Sequence, residues 1–338
     1  MTTRLPRALR RRGAFVALVL AGACGGARTY EQSYLASRDN WAFREHYPTA
    51  DRLFNGFDFG HAILSETLLR HPDDGARRLE GPIARRLVCD VLRKPPRVPL
   101  EERAIAPTYG ITLPEVVATF EWAHMLHRQI YDIIADEPFA TDERDARVEA
   151  ALRYYRSRPD LALSSTPKSM ALMEGQPYSL AFRRAAPRFN GIIWSYHWLQ
   201  MRLYDALLAT SNAAERRDAV ARDVERFQHM LGDSGRRAPS AMPMSAAIAP
   251  EFTRLYPDAA IIFDNLHSLH DVVSDVLASR VVAPKAKRAT ILVALARYRD
   301  STSFTTTRDE WLDMSRAMGA VDATALDADD AVERCAPR

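Results

Sequence analysis

Several features are scarce or missing in this chain of 338 residues. Lysine occurs only four times, so arginine supplies almost all of the positive charge. The net charge is +3 and the arginines are interspersed among acids, so we expect no basic face and no nucleic-acid partner. Glycine-rich nucleotide loops, a P-loop, a serine nucleophile elbow and Cys-x-x-Cys pairs do not occur. These absences argue against nucleotide-binding, serine hydrolase, zinc-ribbon and c-type haem proteins.

The alternation of polar and apolar residues that is typical of strands is also nearly absent. Helical periodicity dominates, so we predict an all-α protein: a helical bundle with four long core helices and additional shorter outer helices. The core helices are predicted at about 49–71, 114–136, 190–210 and 257–280. The outer helices are predicted at about 76–93 with an interruption at Pro82, 141–155, 213–231, 286–299, and from 307 onward.

The N-terminal residues have the features of an export signal. Arginines between positions 4 and 12 precede an apolar run from Ala14 to Ala23. This run is too short to span a bilayer, because a transmembrane helix needs about 20 apolar residues. It ends in the segment Val19-Leu20-Ala21-Gly22-Ala23-Cys24-Gly25. This segment resembles the lipobox of bacterial lipoproteins, in which small residues precede a cysteine that is lipidated after cleavage.

The lipobox resemblance implies that Cys24 is lipidated, that the membrane is a partner through this anchor, and that the protein is extracytoplasmic. Glycine after the cysteine implies the periplasmic face of the outer membrane or the cell surface. The alternative is an ordinary secretory signal cleaved near Ala23. We therefore divide the chain into a signal peptide (1–23), a tether with a short N-terminal helix (24–45), the bundle (46–320) and a tail (321–338). Cys89 and Cys335 are candidates for a disulfide in an oxidising compartment.

A pattern of acids and histidines is repeated along the predicted core helices. Phe120 to Asp132 and Phe263 to Asp275 both read Phe, acid, two residues, His, two residues, His, four residues, Asp. Weaker copies occur around His61 and His197. The four copies are Asn55, Asp58, His61 and Glu66; Glu121, His124, His127 and Asp132; Trp194, His197, Gln200 and Asp205; and Asp264, His267, His270 and Asp275. A repeat of this kind indicates a duplicated structural unit.

The four repeated places share one face of a helix, because their spacing puts them within an arc of roughly 140°. Six of the nine histidines lie there. Burying so many imidazoles and carboxylates is unfavourable unless a metal ion compensates, since an ion needs deprotonated ligands of these types. The sequence therefore predicts a metal site, with iron or manganese as the expected ion. The candidate ligands are Glu66, Glu121, His124, Asp205, Asp264 and His267, together with His61, His127, Asp132, His197, His270 and Asp275.

If the core helices alternate up and down, one layer of the bundle collects two acid–histidine pairs and two single acids. That layer contains Glu121 with His124, Asp264 with His267, and the single acids Glu66 and Asp205. The set resembles ferritin-like di-iron or di-manganese carboxylate proteins, where two helices give one Glu each and two give a Glu-x-x-His pair. The resemblance implies a di-metal centre of the oxidoreductase type. The chain departs from the pattern in its aspartates and in the extra histidines His127 and His270.

Two alternatives to this metal site remain open from the sequence. The polar core residues can form hydrogen bonds only, in a non-catalytic envelope protein that binds a partner or serves as a scaffold. Alternatively, two imidazoles from facing helices can ligate haem, although haem gives no reason for four repeated acids. The sequence identifies no catalytic residue and does not decide whether the protein is an enzyme.

Overall fold

The computed structural model describes residues 33–136, 141–232, 238–318 and Cys335. Within these ranges the chain is helical and contains no strand; an isolated β-bridge joins Lys168 to Thr305. The predicted all-α class is therefore confirmed. The predicted signal peptide, the first part of the tether with Cys24, and most of the predicted tail lie outside the described residues.

Four long helices form the centre of the bundle, as predicted. Core helices 1 to 4 span Pro48–Arg70, Pro114–Ala135, Pro187–Leu208 and Pro257–Ala278. Each begins at a proline, which suits the first turn because that backbone N–H has no partner within the helix. Core helix 3 therefore begins slightly before the predicted position. Core helices 1 and 2 both pack against core helices 3 and 4.

A short helix precedes each core helix, and we call these four the lead helices. They span Ala42–His46, Pro107–Thr112, Ala181–Ala185 and Pro250–Leu255. Lead helices 2 and 4 are themselves preceded by the short helices Glu102–Ile105 and Ser245–Ile248. Lead helix 1 corresponds to the short N-terminal helix predicted within residues 24–45, and the other short helices were not predicted. Each of these short helices ends two residues before a proline, and that proline begins the next helix.

The outer helices cover the bundle largely as predicted. They span Thr141–Arg156, Ala213–Leu231, Pro284–Arg299 and Arg308–Met318, with a further turn at Ala171–Glu174. Between core helix 1 and lead helix 2 the chain stays helical through Pro82, where an interruption was predicted. It does so by widening to π-helical turns at Leu79–Ile83 and Leu87–Val91. A wider turn accommodates a proline because it removes the need for one regular backbone hydrogen bond.

The repeat seen in the sequence extends to the positions of the helices. The offset that relates Phe120 to Phe263, which we call the long offset, also relates four helices of the first half to four helices of the second. Glu102–Ile105, Pro107–Thr112, Pro114–Ala135 and Thr141–Arg156 recur with identical lengths as Ser245–Ile248, Pro250–Leu255, Pro257–Ala278 and Pro284–Arg299.

A slightly smaller offset relates the beginnings of the two halves. It carries lead helix 1 onto lead helix 3, so that Ala42 corresponds to Ala181, and we call it the short offset. The bundle is thus built from two similar halves, from Ala42 to Arg156 and from Ala181 to Arg299. Each half contributes two core helices.

The acid at the last repeated place of each core helix caps a lead helix. In the first half, Glu66 Oε2 accepts the backbone N–H of Tyr109 at 2.9 Å, and Asp132 Oδ1 accepts that of Phe43 at 2.9 Å. Core helix 1 therefore caps the lead helix of core helix 2, and core helix 2 caps the lead helix of core helix 1. A carboxylate near a helix N-terminus satisfies free N–H groups and interacts favourably with the helix dipole.

The second half has the same reciprocal arrangement. Asp205 Oδ1 accepts the N–H of Phe252 at 2.8 Å, in lead helix 4. Asp275 accepts the N–H groups of Leu180 and Phe182 at 2.8 Å, at the start of lead helix 3. Because each cap joins the end of one core helix to the start of its partner, the two core helices of each half run antiparallel.

Two further findings concern the cysteines and the membrane. Cys89 and Cys335 form a disulfide with their Cα atoms 5.7 Å apart, which ties the far end of the chain to the π-helical segment. In the described ranges, no helix combines the length and the apolar composition needed to cross a bilayer.

We expect Asp205→Ala and Asp275→Ala each to lower the free energy of unfolding by about 1–2 kcal/mol, because each leaves the N-terminus of a lead helix uncapped. Urea unfolding followed by circular dichroism measures this loss. The matched control is Asp218→Ala, at an exposed site on an outer helix, which should change the free energy by less than about 0.5 kcal/mol. A loss no greater than that of the control would contradict the capping role.

Candidate metal centre

Six histidines meet in the interior of the bundle, and all are buried. Each core helix supplies at least one of them: His61 from core helix 1, His124 and His127 from core helix 2, His197 from core helix 3, and His267 and His270 from core helix 4. The repeated pattern placed them on the inward faces of these helices. The prediction that these side chains come together in the core agrees with the structure.

His61, His124 and His270 form what we call the first histidine group. One ligand nitrogen from each lies within 4.8 Å of the other two, and the described residues contain no other such set of three. The ring centroids of His61 and His270 are 3.9 Å apart, and those of His124 and His270 are 5.4 Å apart. None of the six ring nitrogens has a hydrogen-bond partner within the described part of the chain.

His127, His197 and His267 form the second histidine group. The centroids of His197 and His267 are 4.0 Å apart, and those of His127 and His267 are 5.8 Å apart. Only two nitrogens of this group are paired: His127 Nδ1 with the Tyr204 hydroxyl at 2.9 Å, and His267 Nε2 with Gln200 Oε1 at 3.1 Å. Across both groups, ten of the twelve imidazole nitrogens therefore lack a partner among the described residues.

Burial keeps these imidazoles neutral. Together with repulsion from Arg128 in one case and from His124 in the other, it lowers the pKa of His124 and of His267 to about 3. The pKa values of the other four lie well below the ordinary value of 6.5 for the same leading reason. At neutral pH each ring therefore keeps a nitrogen lone pair, which is the form that binds metal ions.

The carboxylate of Glu102 lies next to the first histidine group. The sequence did not predict this residue as a ligand. Glu102 is fully buried, and neither carboxyl oxygen has a hydrogen-bond partner in the described ranges. Its Oε1 lies 4.0 Å from His124 Nδ1. Burial raises the pKa of Glu102 well above its ordinary value, and repulsion from Glu121 and Asp58 raises it further. The one sequence signal was that the long offset pairs Glu102 with Ser245, a position at which the two halves of the chain differ.

An ion pair lies near the same nitrogen of His124. Arg128 donates to Asp58 Oδ2 at 2.8 Å and to Asn55 Oδ1 at 3.0 Å. Asp58 Oδ1 in turn lies 3.7 Å from His124 Nδ1. Burial raises the pKa of Asp58 to about 6, although Arg128 opposes this shift. The pair thus places a partly compensated charge at the edge of the first histidine group.

A small, partly open cavity borders His61 and His270 of the first histidine group. Its volume is about 10 Å³, and His61, His270, Glu102, Tyr109 and Phe120 are among its lining residues. Such a volume holds one water molecule or one ion. His61, His270 and Glu102 supply nitrogen and carboxylate oxygen ligands, which suit divalent transition metals.

The predicted acid ligands do not join the histidines in this structure. The four last-place acids accept N–H groups of the lead helices, as described above. Glu121 accepts the backbone N–H of Glu102, and Asp264 accepts the N–H of Ser245 at 2.8 Å and the indole N–H of Trp311 at 2.9 Å. The predicted layer of two acid–histidine pairs and two single acids therefore does not form. In this structure the acids accept hydrogen bonds at the starts of short helices; they are Glu66, Glu121, Asp132, Asp205, Asp264 and Asp275.

The depressed pKa values predict that the six core histidines stay neutral at pH 5 in metal-free protein. Folding holds their pKa values below 6.5, so the unfolded chain takes up protons first as the pH falls, and this uptake opposes folding. Nitrogen-15 NMR of histidine-labelled protein distinguishes neutral from protonated rings. The same sample in urea is the control, in which all histidines should titrate near about 6.5. Titration of the core rings between pH 5 and 7 in the folded protein would contradict the prediction.

Comparison with known proteins leaves the side-chain geometry as the basis for a functional proposal. No protein-family model, no curated protein and no solved structure matches this chain.

Proposed function

We propose that this protein binds a transition metal ion in the core of its bundle through His61, His124 and His270, with Glu102 as the carboxylate ligand. The observation that carries the proposal is the convergence of three buried, neutral imidazoles that have no hydrogen-bond partner among the described residues and place one ligand nitrogen each within 4.8 Å of the others. An ion bound there would engage one nitrogen of each ring, and its charge would favour the ionised form of Glu102.

A purely structural role for this group is less favourable. Leaving a buried donor or acceptor unpaired costs about 1–3 kcal/mol, so polar groups that serve only structure are paired. The same core contains such pairs: Trp194 Nε1 donates to Asp271 Oδ2 at 3.0 Å, and Ser245 donates to Asp264. The histidines of the first group differ from these residues because their nitrogens converge and find no donor or acceptor in the described part of the chain.

The ligand set favours a metal that prefers imidazole. Nitrogen ligands suit iron, copper, zinc and nickel, whereas manganese prefers oxygen ligands. The acids that would bridge two ions in a ferritin-like centre are occupied as helix caps. Iron therefore remains a candidate and manganese loses support, while copper and zinc join the candidates. Iron or copper would make the centre redox-active, and an oxidoreductase is the enzyme class that such a centre supports.

Haem fits the geometry less well. The rings of His61 and His270 and those of His197 and His267 stack at 3.9 and 4.0 Å between centroids. Phe263 lies 3.4 Å from His127, again between centroids. These contacts leave no slot for a macrocycle between facing imidazoles.

We also propose that the protein is exported and anchored to the cell envelope by a lipid on Cys24. The disulfide between Cys89 and Cys335 supports this, because such bonds persist in oxidising compartments outside the cytoplasm. With those two paired, Cys24 is the remaining cysteine of three, and it stands in the lipobox-like segment. The proposal leaves a non-catalytic envelope protein as the competing function, which the metal analysis below separates from the first.

We expect purified protein to contain at least about one equivalent of a transition metal, and His61→Ala and His124→Ala each to lower this content by about one equivalent, because each removes one ligand nitrogen of the first histidine group. Elemental analysis after expression in media supplemented separately with iron, copper, zinc and manganese measures the content and the preference. Metal removal should also lower the melting temperature, since an ion that binds only the folded state stabilises it.

The matched control is His71→Ala, which replaces a histidine outside the core. Its metal content should equal that of the wild type. A protein that is free of metal in all four media, with a melting temperature that chelators do not change, would favour the structural alternative.

We expect Cys24→Ala to move the protein from the membrane fraction to the soluble fraction of bacterial cells, because the lipid provides the anchor. Fractionation and mass spectrometry of the mature N-terminus measure this change. Cys89→Ser is the matched control: it removes the disulfide and should leave the protein in the membrane fraction. Wild-type protein found only in the soluble fraction would refute the lipid anchor.

A further inference from the structure

We propose that a second metal ion binds at the second histidine group, His127, His197 and His267, next to the first ion. This inference rests on the proposed function, because it assumes that the first histidine group binds a metal ion. It extends that function to a two-metal centre whose two sites both consist mainly of imidazoles.

The first argument is the orientation of the ligands. Tyr204 donates its hydroxyl proton to the carbonyl oxygen of His127 at 3.3 Å, so its oxygen accepts the Nδ1–H of the same residue. Gln200 Oε1 accepts the Nε2–H of His267. In each ring the other nitrogen, Nε2 of His127 and Nδ1 of His267, therefore carries the lone pair and has no hydrogen-bond partner within the described ranges. Metal-binding histidines are held in this way, with one nitrogen donating to an acceptor and the other on the metal.

The second argument comes from the internal repeat. The long offset relates His124 to His267 and His127 to His270, so each histidine group draws one member from each of these two pairs. The short offset relates Asp58 to His197. Asp58 borders His124 in the first half, and His197 borders His267 in the second half.

The place of His61 is taken in the second half by Gln200, which orients His267. The second half thus lacks one imidazole at that place and gains one at the place of Asp58. Each half of the bundle consequently supplies three imidazoles, two to one histidine group and one to the other. The two halves therefore have the same number of core histidines. The third one stands at the place of His61 in the first half and at the place of Asp58 in the second.

The third argument is the freedom and position of His197. Both of its ring nitrogens lack a partner in the described part of the chain, so no hydrogen bond fixes the ring. Its terminal side-chain torsion is soft, so the ring can turn without breaking a hydrogen bond to any described residue. The His197 ring centroid also lies 5.4 Å from His61 and 5.8 Å from His270. Ions bound at the two groups are therefore neighbours.

Copper(II) alone is a suitable probe, because two neighbouring copper(II) ions couple magnetically. Metal-stripped wild-type protein is loaded with copper(II), passed over a desalting column, and analysed for total copper and for its electron paramagnetic resonance signal. We expect about two copper ions per chain and a spin count clearly below the copper content. His197→Gln and His61→Gln should each retain about one copper ion with a full spin count.

The outcomes separate the two proposals. Wild-type protein that binds no copper refutes the proposed function and this inference together. One copper ion that His61→Gln loses and His197→Gln retains refutes the second site alone. Two copper ions that persist in His197→Gln refute the assignment of His197. The wild-type copper content decides the stoichiometry even if a variant fails to fold, and Gln200→Leu offers a gentler test, because it should weaken only the second copper ion by misorienting His267.

Discussion

The burial of imidazole nitrogens without hydrogen-bond partners is the constraint on which the structure depends. At about 1–3 kcal/mol for each unpaired group, ten such nitrogens represent a cost on the order of 10–30 kcal/mol. The whole net stability of a folded domain is about 5–15 kcal/mol. A core of this kind is therefore difficult to maintain unless something binds the nitrogens.

The acids and the histidines occupy different levels of the bundle and make different interactions. The last-place acids sit at the ends of the core helices, where they cap the lead helices and fix how the two helices of each half pair. Glu121 and Asp264 do the same for the short helices that begin at Glu102 and Ser245. The histidines lie between these levels, where no helix end is available to satisfy them. The capped helices thus surround the six imidazoles at the centre of the bundle.

The sequence predicted the helices well because each core helix has a strong apolar period and begins at a proline. It also predicted which face of each helix is buried. It did not predict which groups the acids contact, because the angular positions of residues around a helix do not give their positions along its axis. The first and last repeated places are separated by about 16 Å along the helix axis. Only the positions of the lead helices decide which groups meet at each level, and these short helices carry no periodicity. Glu102 belongs to such a segment, so no local pattern could reveal it as a neighbour of His124.

The differences between the two halves of the chain are concentrated around the histidines. Arg128 in the first half corresponds to Asp271 in the second, and their partners Asn55 and Trp194 correspond as well. The hydrogen bond has survived with donor and acceptor exchanged, so a cation in the first half is matched by an acid in the second. Duplication alone would produce two identical environments. The first histidine group is also bordered by the carboxylates of Asp58 and Glu102, 3.7 and 4.0 Å from His124 Nδ1. Since nearby charge tunes the affinity and potential of a bound ion, two ions held at the two groups would not be equivalent.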